Sequence, residues 1–247
     1  MRSMTNPPPL RAGTRLDFNG PLSAERAGRL TTVLAAAEPS TVLDLGCGWG
    51  RLLLSVLEAV PEARGVGVDV RELDLERGRA DAAARGLSDR VTFVEGPAEE
   101  HLGSADLVLN VGAYHALGDV SKALHTLRPL VNPGGRLLFG AEFWERVPTE
   151  GELAGMWPGT SVDDCTDLAG LVDRVTAAGF RPLRIETVTG DEWAEFESGF
   201  TAEVEEWLVA NPDHPEAEAT RAKVDQHRSY WLRGYRNVMG FALLILG

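Results

Sequence analysis

The chain of 247 residues is short of cysteine, of positive charge and of long apolar runs, and each shortage closes off a class of protein. Its two cysteines, Cys47 and Cys165, stand far apart and in no CxxC or Cys/His cluster. That argues against a disulfide or zinc framework, suits a reducing cytosol, and leaves no metal site to expect. Lys and Arg total 24 against 37 Asp and Glu, a net charge of −13. A surface that negative repels phosphate backbones and anionic lipid, so neither nucleic acid nor a membrane is the expected partner. The N-terminus from Met1 to Pro9 is polar and proline-rich with no apolar signal core, and the longest purely apolar run, Phe241 to Leu246, is far too short to span a bilayer. No repeat or low-complexity tract is present. The expectation is a cytoplasmic globular chain.

What is there is an alternation. Residues 1–15 are expected to form a mobile tail, and 16–247 a single domain. Asn19 to Ala37 is expected to be helical, with Ser23 as its cap. From Thr41 onward, short β-rich runs (Thr41–Leu45, Gly65–Val70, Val91–Val94, Leu107–Val111, Arg136–Gly140) alternate with helical spacing. The runs are almost continuously apolar, as strands covered on both faces must be. Leu53, Val56, Leu57 and Val60 fall at i, i+3, i+4, i+7 before Pro61; Val120, Ala123, Leu124 and Leu127 repeat the spacing after Asp119, and Leu168, Leu171, Val172 and Val175 before Gly179. This is an α/β chain with right-handed crossovers and a mostly parallel sheet. A strand at Pro182–Thr189 follows, then residues 190–236 read as a helical insertion placed to cap a pocket, and Val238–Leu246 as the last strand. Between Arg184 and Arg221 there is no Lys or Arg but eleven acidic residues, read as a solvated helix face.

The sharpest signal is the run Val42-Leu43-Asp44-Leu45-Gly46-Cys47-Gly48-Trp49-Gly50-Arg51-Leu52. A buried strand enters a turn with glycines at alternate positions and leaves it as a helix, so a ligand can approach bare backbone. One strand later, Gly65-Val66-Gly67-Val68-Asp69 ends in a carboxylate, which an open parallel sheet sets beside the first loop, where it can accept both hydroxyls of a ribose. A dinucleotide site has GxGxxG with a pyrophosphate on the helix N-terminus. Here the third glycine comes one residue early, and Asp44 suits a cationic amine and sulfonium better than a diphosphate.

On these residues the chain resembles the class I methyltransferases that use S-adenosylmethionine. Asp44 to Gly50 is similar to their motif I, and Asp69 to their ribose-binding acid. Val94-Glu95-Gly96-Pro97-Ala98-Glu99 resembles the adenine loop, with Pro97-Ala98 where many relatives have Asp-Ala. Asp106 to Val111 resembles the fourth motif, and Asn132-Pro133-Gly134-Gly135 the turn into the fifth strand. The chain as a whole also resembles a group of small bacterial methyltransferases of mostly unassigned substrate. The resemblance implies a Rossmann-like seven-stranded sheet of order 3-2-1-4-5-7-6, helices on both faces and a helical insertion before an antiparallel last strand. It implies S-adenosylmethionine as methyl donor, S-adenosylhomocysteine as product, and a donor site of Asp44, Gly46, Cys47, Gly48, Gly50, Asp69, Val70, Ala98, Glu99 and Asn110.

Methyl transfer from a sulfonium is an in-line displacement, so the protein must chiefly align the partners and exclude water. A base is needed only where the nucleophile arrives protonated. The catalytic candidate is His115, with Tyr114 beside it, in the segment after the strand ending at Val111; the other reading is that both only wall the pocket. Glu142, Phe143 and Trp144, expected to follow the fifth strand, border the acceptor site, with plain core as the other reading for Phe143 and Trp144; Trp157 and Tyr235 are weaker candidates for further walls. Arg51, Arg146 and Arg236 are available to a carboxylate-bearing acceptor. The residues leave O-, N- and S-methylation open. A small-molecule acceptor fits the acidic chain best; the other readings are a tRNA or protein modifier and a binding-only protein that keeps the donor pocket.

Overall fold

The computed structural model describes residues 6–10 and 13–247. Seven strands form one sheet: β1 (Thr41–Leu45), β2 (Arg64–Asp69), β3 (Val91–Glu95), β4 (Ala105–Val111), β5 (Val131–Trp144), β6 (Pro182–Thr187) and β7 (Met239–Leu246). Their order is β3-β2-β1-β4-β5-β7-β6, parallel throughout except that β7 runs antiparallel to both neighbours. This is the Rossmann-like order that the resemblance implies.

The helices α1 (Ala24–Ala35), α2 (Arg51–Ala59), α3 (Glu72–Ala84), α4 (Val120–Leu127), α5 (Glu150–Ala154) and α6 (Leu168–Ala177) occupy the connections before and between the first six strands. They form where apolar spacing and caps agree. In α2, Leu53, Val56 and Leu57 are fully buried and the helix stops two residues before Pro61. Asp119 caps α4 by accepting from the Lys122 amide, and Asp167 caps α6 by accepting from that of Gly170. Two large apolar clusters result, one on each face of the sheet. Phe139, Leu124, Leu171 and Phe180 belong to one, and Leu30, Leu53, Leu57 and Leu243 to the other.

Several boundaries differ from the sequence expectation. The first helix starts at Ala24, not Asn19, because residues 17–22 form bends through Gly20-Pro21 and Ser23 then caps. β5 runs on to Trp144 instead of stopping at Gly140, because β7 pairs with it as far as Trp144↔Met239. Of the expected N-terminal tail, residues 1–5 and 11–12 lie outside the described residues, while Arg77 donates to the carbonyls of Gly13 and Leu16 at 2.8 and 2.7 Å.

Between β6 and β7 lies the insertion: α7 (Gly190–Ala210), α8 (Ala217–Ser229) and a π-helical turn at Tyr230–Tyr235. Its acidic run is mostly solvated, but Glu192 and Glu197 are buried. Each has partners. Glu192 takes two hydrogen bonds from Arg26, both 2.8 Å, tying α7 to α1. Glu197 accepts from Tyr235 at 2.5 Å and meets His227 Nε2 at 2.9 Å, tying α7 to the end of the insertion. Burying a charge is costly without such pairing.

Candidate functional site

The turn from β1 into α2 is built from backbone. Gly46, Gly48 and Gly50 all have positive φ (79°, 55° and 66°), where a side chain is strained. At Gly46 a Cβ would lie 2.2 Å from that of Ala113, so the loop after β4 closes directly on the glycine turn. Asp69, at the end of β2, accepts from the Gly48 amide through Oδ2 at 2.8 Å and from the Arg71 amide through Oδ1 at 3.0 Å. These bonds fix the carboxylate and leave each oxygen a further lone pair.

A cavity of about 190 Å³ opens at this turn, lined by Asp44, Gly46, Cys47, Asp69, Gly112, Ala113 and Phe241, among others. Asp44 is 6 % exposed, and its carboxyl has burial and the nearby Asp69 charge as its surroundings, with no hydrogen bond among the described residues holding it. Burial, with Asp69 close by, pushes its carboxyl up to about 8. Arg51, the first residue of α2, lines the same cavity, and its Nη1 is buried without a partner. An orphaned acid and an orphaned guanidinium nitrogen in one hollow suit a ligand carrying both charges, such as an amino-acid group. Cys47 lines the cavity as a protonated thiol, since burial and the neighbouring Asp44 and Asp69 push it upward.

The expected donor residues therefore divide. Asp44, Gly46, Cys47 and Asp69 line one cavity, and Gly48 and Gly50 shape its turn. Val70 is exposed just beyond Asp69; Ala98 is buried in a short 3-10 turn with Glu99 exposed beside it, and none of the three lines the cavity. Asn110 is fully buried beneath the turn and donates to the Leu45 carbonyl at 2.9 Å, joining β4 to β1. Phe18, Asn19, Gly20, Pro21 and Leu22 close the cavity from the N-terminal side, which the sequence reading missed. Trp49 holds that segment by donating to the Asp17 carbonyl at 2.8 Å. The breaker run Asn19-Gly20-Pro21 was the available signal.

A second, larger hollow of about 980 Å³ begins at the next residue of the β4 loop and is lined by Tyr114, His115, Glu142, Trp144, Trp157 and Cys165, among others. His115 is exposed, its ring centroid 3.9 Å from that of Tyr114, and its Nε2 is 3.9 Å from Glu142 Oε2. Burial and Glu142 push the Tyr114 phenol upward, so it stays protonated. Glu142 and Trp144 lie within β5, not after it, and alternation turns Phe143 to the other face, into the core. Phe143 is thus no pocket wall. Trp144 donates to the Val162 carbonyl at 2.8 Å. Trp157 stacks on Tyr235 at 4.8 Å and 13°; Tyr235 is 2 % exposed and backs Trp157. Of the arginines considered, Arg146 pairs with Glu152 and Arg236 lines a separate 410 Å³ crevice with Trp193 and Trp231.

Residues 43–137 match the family model described as a methyltransferase domain. Together with the sheet order and the glycine turn, that match describes a methyltransferase domain of Rossmann-like fold. Two solved structures are similar along almost the whole chain. One is the SAM-dependent methyltransferase from Geobacter sulfurreducens in complex with S-adenosyl-L-homocysteine, 26 % identical, TM-score 0.84, covering 93 % of each chain. The other, from Thiobacillus denitrificans in the same kind of complex, is 25 % identical, TM-score 0.83, covering 94 % of each. The uncharacterized protein YjhP of Escherichia coli (strain K12) is 26 % identical over 231 residues, 93 % of each chain. No helix among the described residues is long and apolar enough to cross a membrane.

Proposed function

We propose that this chain binds S-adenosylmethionine in the cavity between the Gly46 turn and Asp69 and transfers its methyl group to a small-molecule acceptor in the adjoining hollow. The observation that carries the reading is the pair of buried, unpartnered groups, Asp44 and Arg51, lining one cavity beside the Asp69 carboxylate. Asp69 offers its free lone pairs to the ribose hydroxyls, Asp44 its carboxylate to the cationic amine, and Arg51 its free nitrogen to the carboxylate. The bound sulfonium supplies an already activated methyl group. The chain's own contribution is alignment: residues 17–22 and the Gly112-Ala113 backbone shut water out of the cavity, and the β4 loop sets the acceptor hollow next to it. His115, within reach of Glu142, receives a proton from an acceptor that arrives protonated.

The acceptor side has its own test. His115→Ala should lower kcat by roughly 10²–10⁴-fold while leaving donor affinity intact. Turnover within a factor of two of wild type would make His115 a wall residue.

A further inference from the structure

We propose that the acceptor is an amine, bound as its ammonium form against the Glu142 carboxylate and the Trp144 and Trp157 rings. The inference rests on the methyltransferase reading above and adds the substrate class. Three features of the 980 Å³ hollow point the same way. Glu142 Oε2 is buried and makes no hydrogen bond of normal geometry; the Tyr114 phenol lies beside the carboxylate and the His115 ring stands 3.9 Å from Oε2. A carboxylate oxygen so placed lacks a donor, and an ammonium N–H supplies one with charge. Carboxylates dominate the lining: Asp119, Glu142, Asp163 and Asp164 face the hollow against the single permanent cation Arg174. Tyr114, Trp144 and Trp157 put aromatic rings in the lining, and aromatic rings attract a cation. Trp144 is fixed by its bond to the Val162 carbonyl and Trp157 by its stack on Tyr235, so neither wall must be ordered when a ligand enters. A phenolate or carboxylate acceptor would meet like charge instead.

The transfer balances without a further reactant. The ammonium gives one proton to the His115 imidazole, freeing the nitrogen lone pair. That pair forms the N–CH3 bond as the C–S bond breaks, and the C–S electrons remain on sulfur as a neutral thioether. The methylated nitrogen then carries the positive charge that the sulfonium lost.

The test is binding of three probes of one shape to the full chain, with and without saturating S-adenosylhomocysteine, read by tryptophan fluorescence and calorimetry. The probes are phenethylammonium, phenethyl alcohol and 3-phenylpropionate. Phenethylammonium should bind about tenfold or more tighter than either of the others. Glu142→Gln should erase that preference with S-adenosylhomocysteine affinity unchanged. Equal binding of the three, tighter binding of the alcohol or the carboxylate (which Arg174 would favour), or no binding of phenethylammonium would overturn the proposal. Loss of S-adenosylhomocysteine binding by the wild-type chain would instead remove the donor reading, a separate result of the same titrations.

Discussion

The two hollows of this molecule are built by opposite means. The proposed donor side is made of backbone: three glycines at positive φ, a strand end, and amides that orient one carboxylate. The proposed acceptor side is made of side chains delivered from distant segments, from Tyr114 through Glu142 and Trp144 to Trp157, with Tyr235 behind. A backbone site tolerates little change at the turn but constrains few residue identities outside it. A side-chain site keeps its geometry only while its supports hold. The insertion at 190–236, which supports Trp157 through Tyr235, depends on buried ion pairs for its attachment.

Cutting one of those pairs should therefore have the largest effect of any single change. Arg26→Ala leaves Glu192 buried without its cation, while Glu186 keeps Arg184 and Arg29, and chemical denaturation should show a loss of about 3–5 kcal/mol. A loss below 1 kcal/mol would mean the insertion is held by apolar packing, and the contrast would blur. The same attachment carries an acid signature. Burial alone would raise the Glu192 carboxyl, but Arg26, the Thr189 amide and Ser23 hold it at about 2, against an ordinary 4.5. A depressed acid stabilises fully above its unfolded value, so that stabilisation should fall away as pH drops from 4.5 toward 2. Denaturation midpoints across that window check it.

Next in size is the turn itself. Gly46→Val places a β-branched residue at φ 79° with its Cβ on that of Ala113, and donor binding should weaken on the order of 100-fold, measured by calorimetry. Retained affinity would show that the turn can open, against a backbone-built site.

The smallest effect sharpens the donor side's electrostatics. With the Asp44 carboxyl at about 8 in the empty cavity, a ligand amine must displace its proton. Affinity for S-adenosylhomocysteine should then rise about tenfold from pH 6 to pH 7, with proton release on binding, and Asp44→Asn should flatten the slope. The sign for stability is the reverse: a raised acid favours the folded chain at low pH, and that contribution is lost as pH climbs through about 8.

The same contrast explains what could be read from the sequence. β1, Gly46 to Gly50 and Asp69 are contiguous or one crossover apart, so their spacing alone places them together. The sheet order and the antiparallel last strand came with the family resemblance. Phe143 stood open between wall and core because β5 extends along β7, a long-range pairing that no local pattern announces, and alternation then decides which side chains face the hollow. Arg51 was considered for an acceptor, yet its place at the start of α2 sets it on the donor cavity. The cover formed by residues 17–22 was missed because it is held from across the chain, by Trp49 at the Asp17 carbonyl and, just before it, by Arg77 at the Gly13 and Leu16 carbonyls. Glu192 and Glu197 looked like members of a solvated run; only their partners on α1 and in the Tyr230–Tyr235 turn distinguish them.

The most direct measurement is a calorimetric titration of the chain with S-adenosylmethionine, wild type beside Asp69→Ala. The expected result is one site per chain in the wild type and an affinity lower by about tenfold or more in the variant, since a charged acceptor of two hydroxyl bonds is lost. A wild-type chain that takes up no S-adenosylmethionine, or a variant that binds it equally well, would contradict the assignment of this cavity.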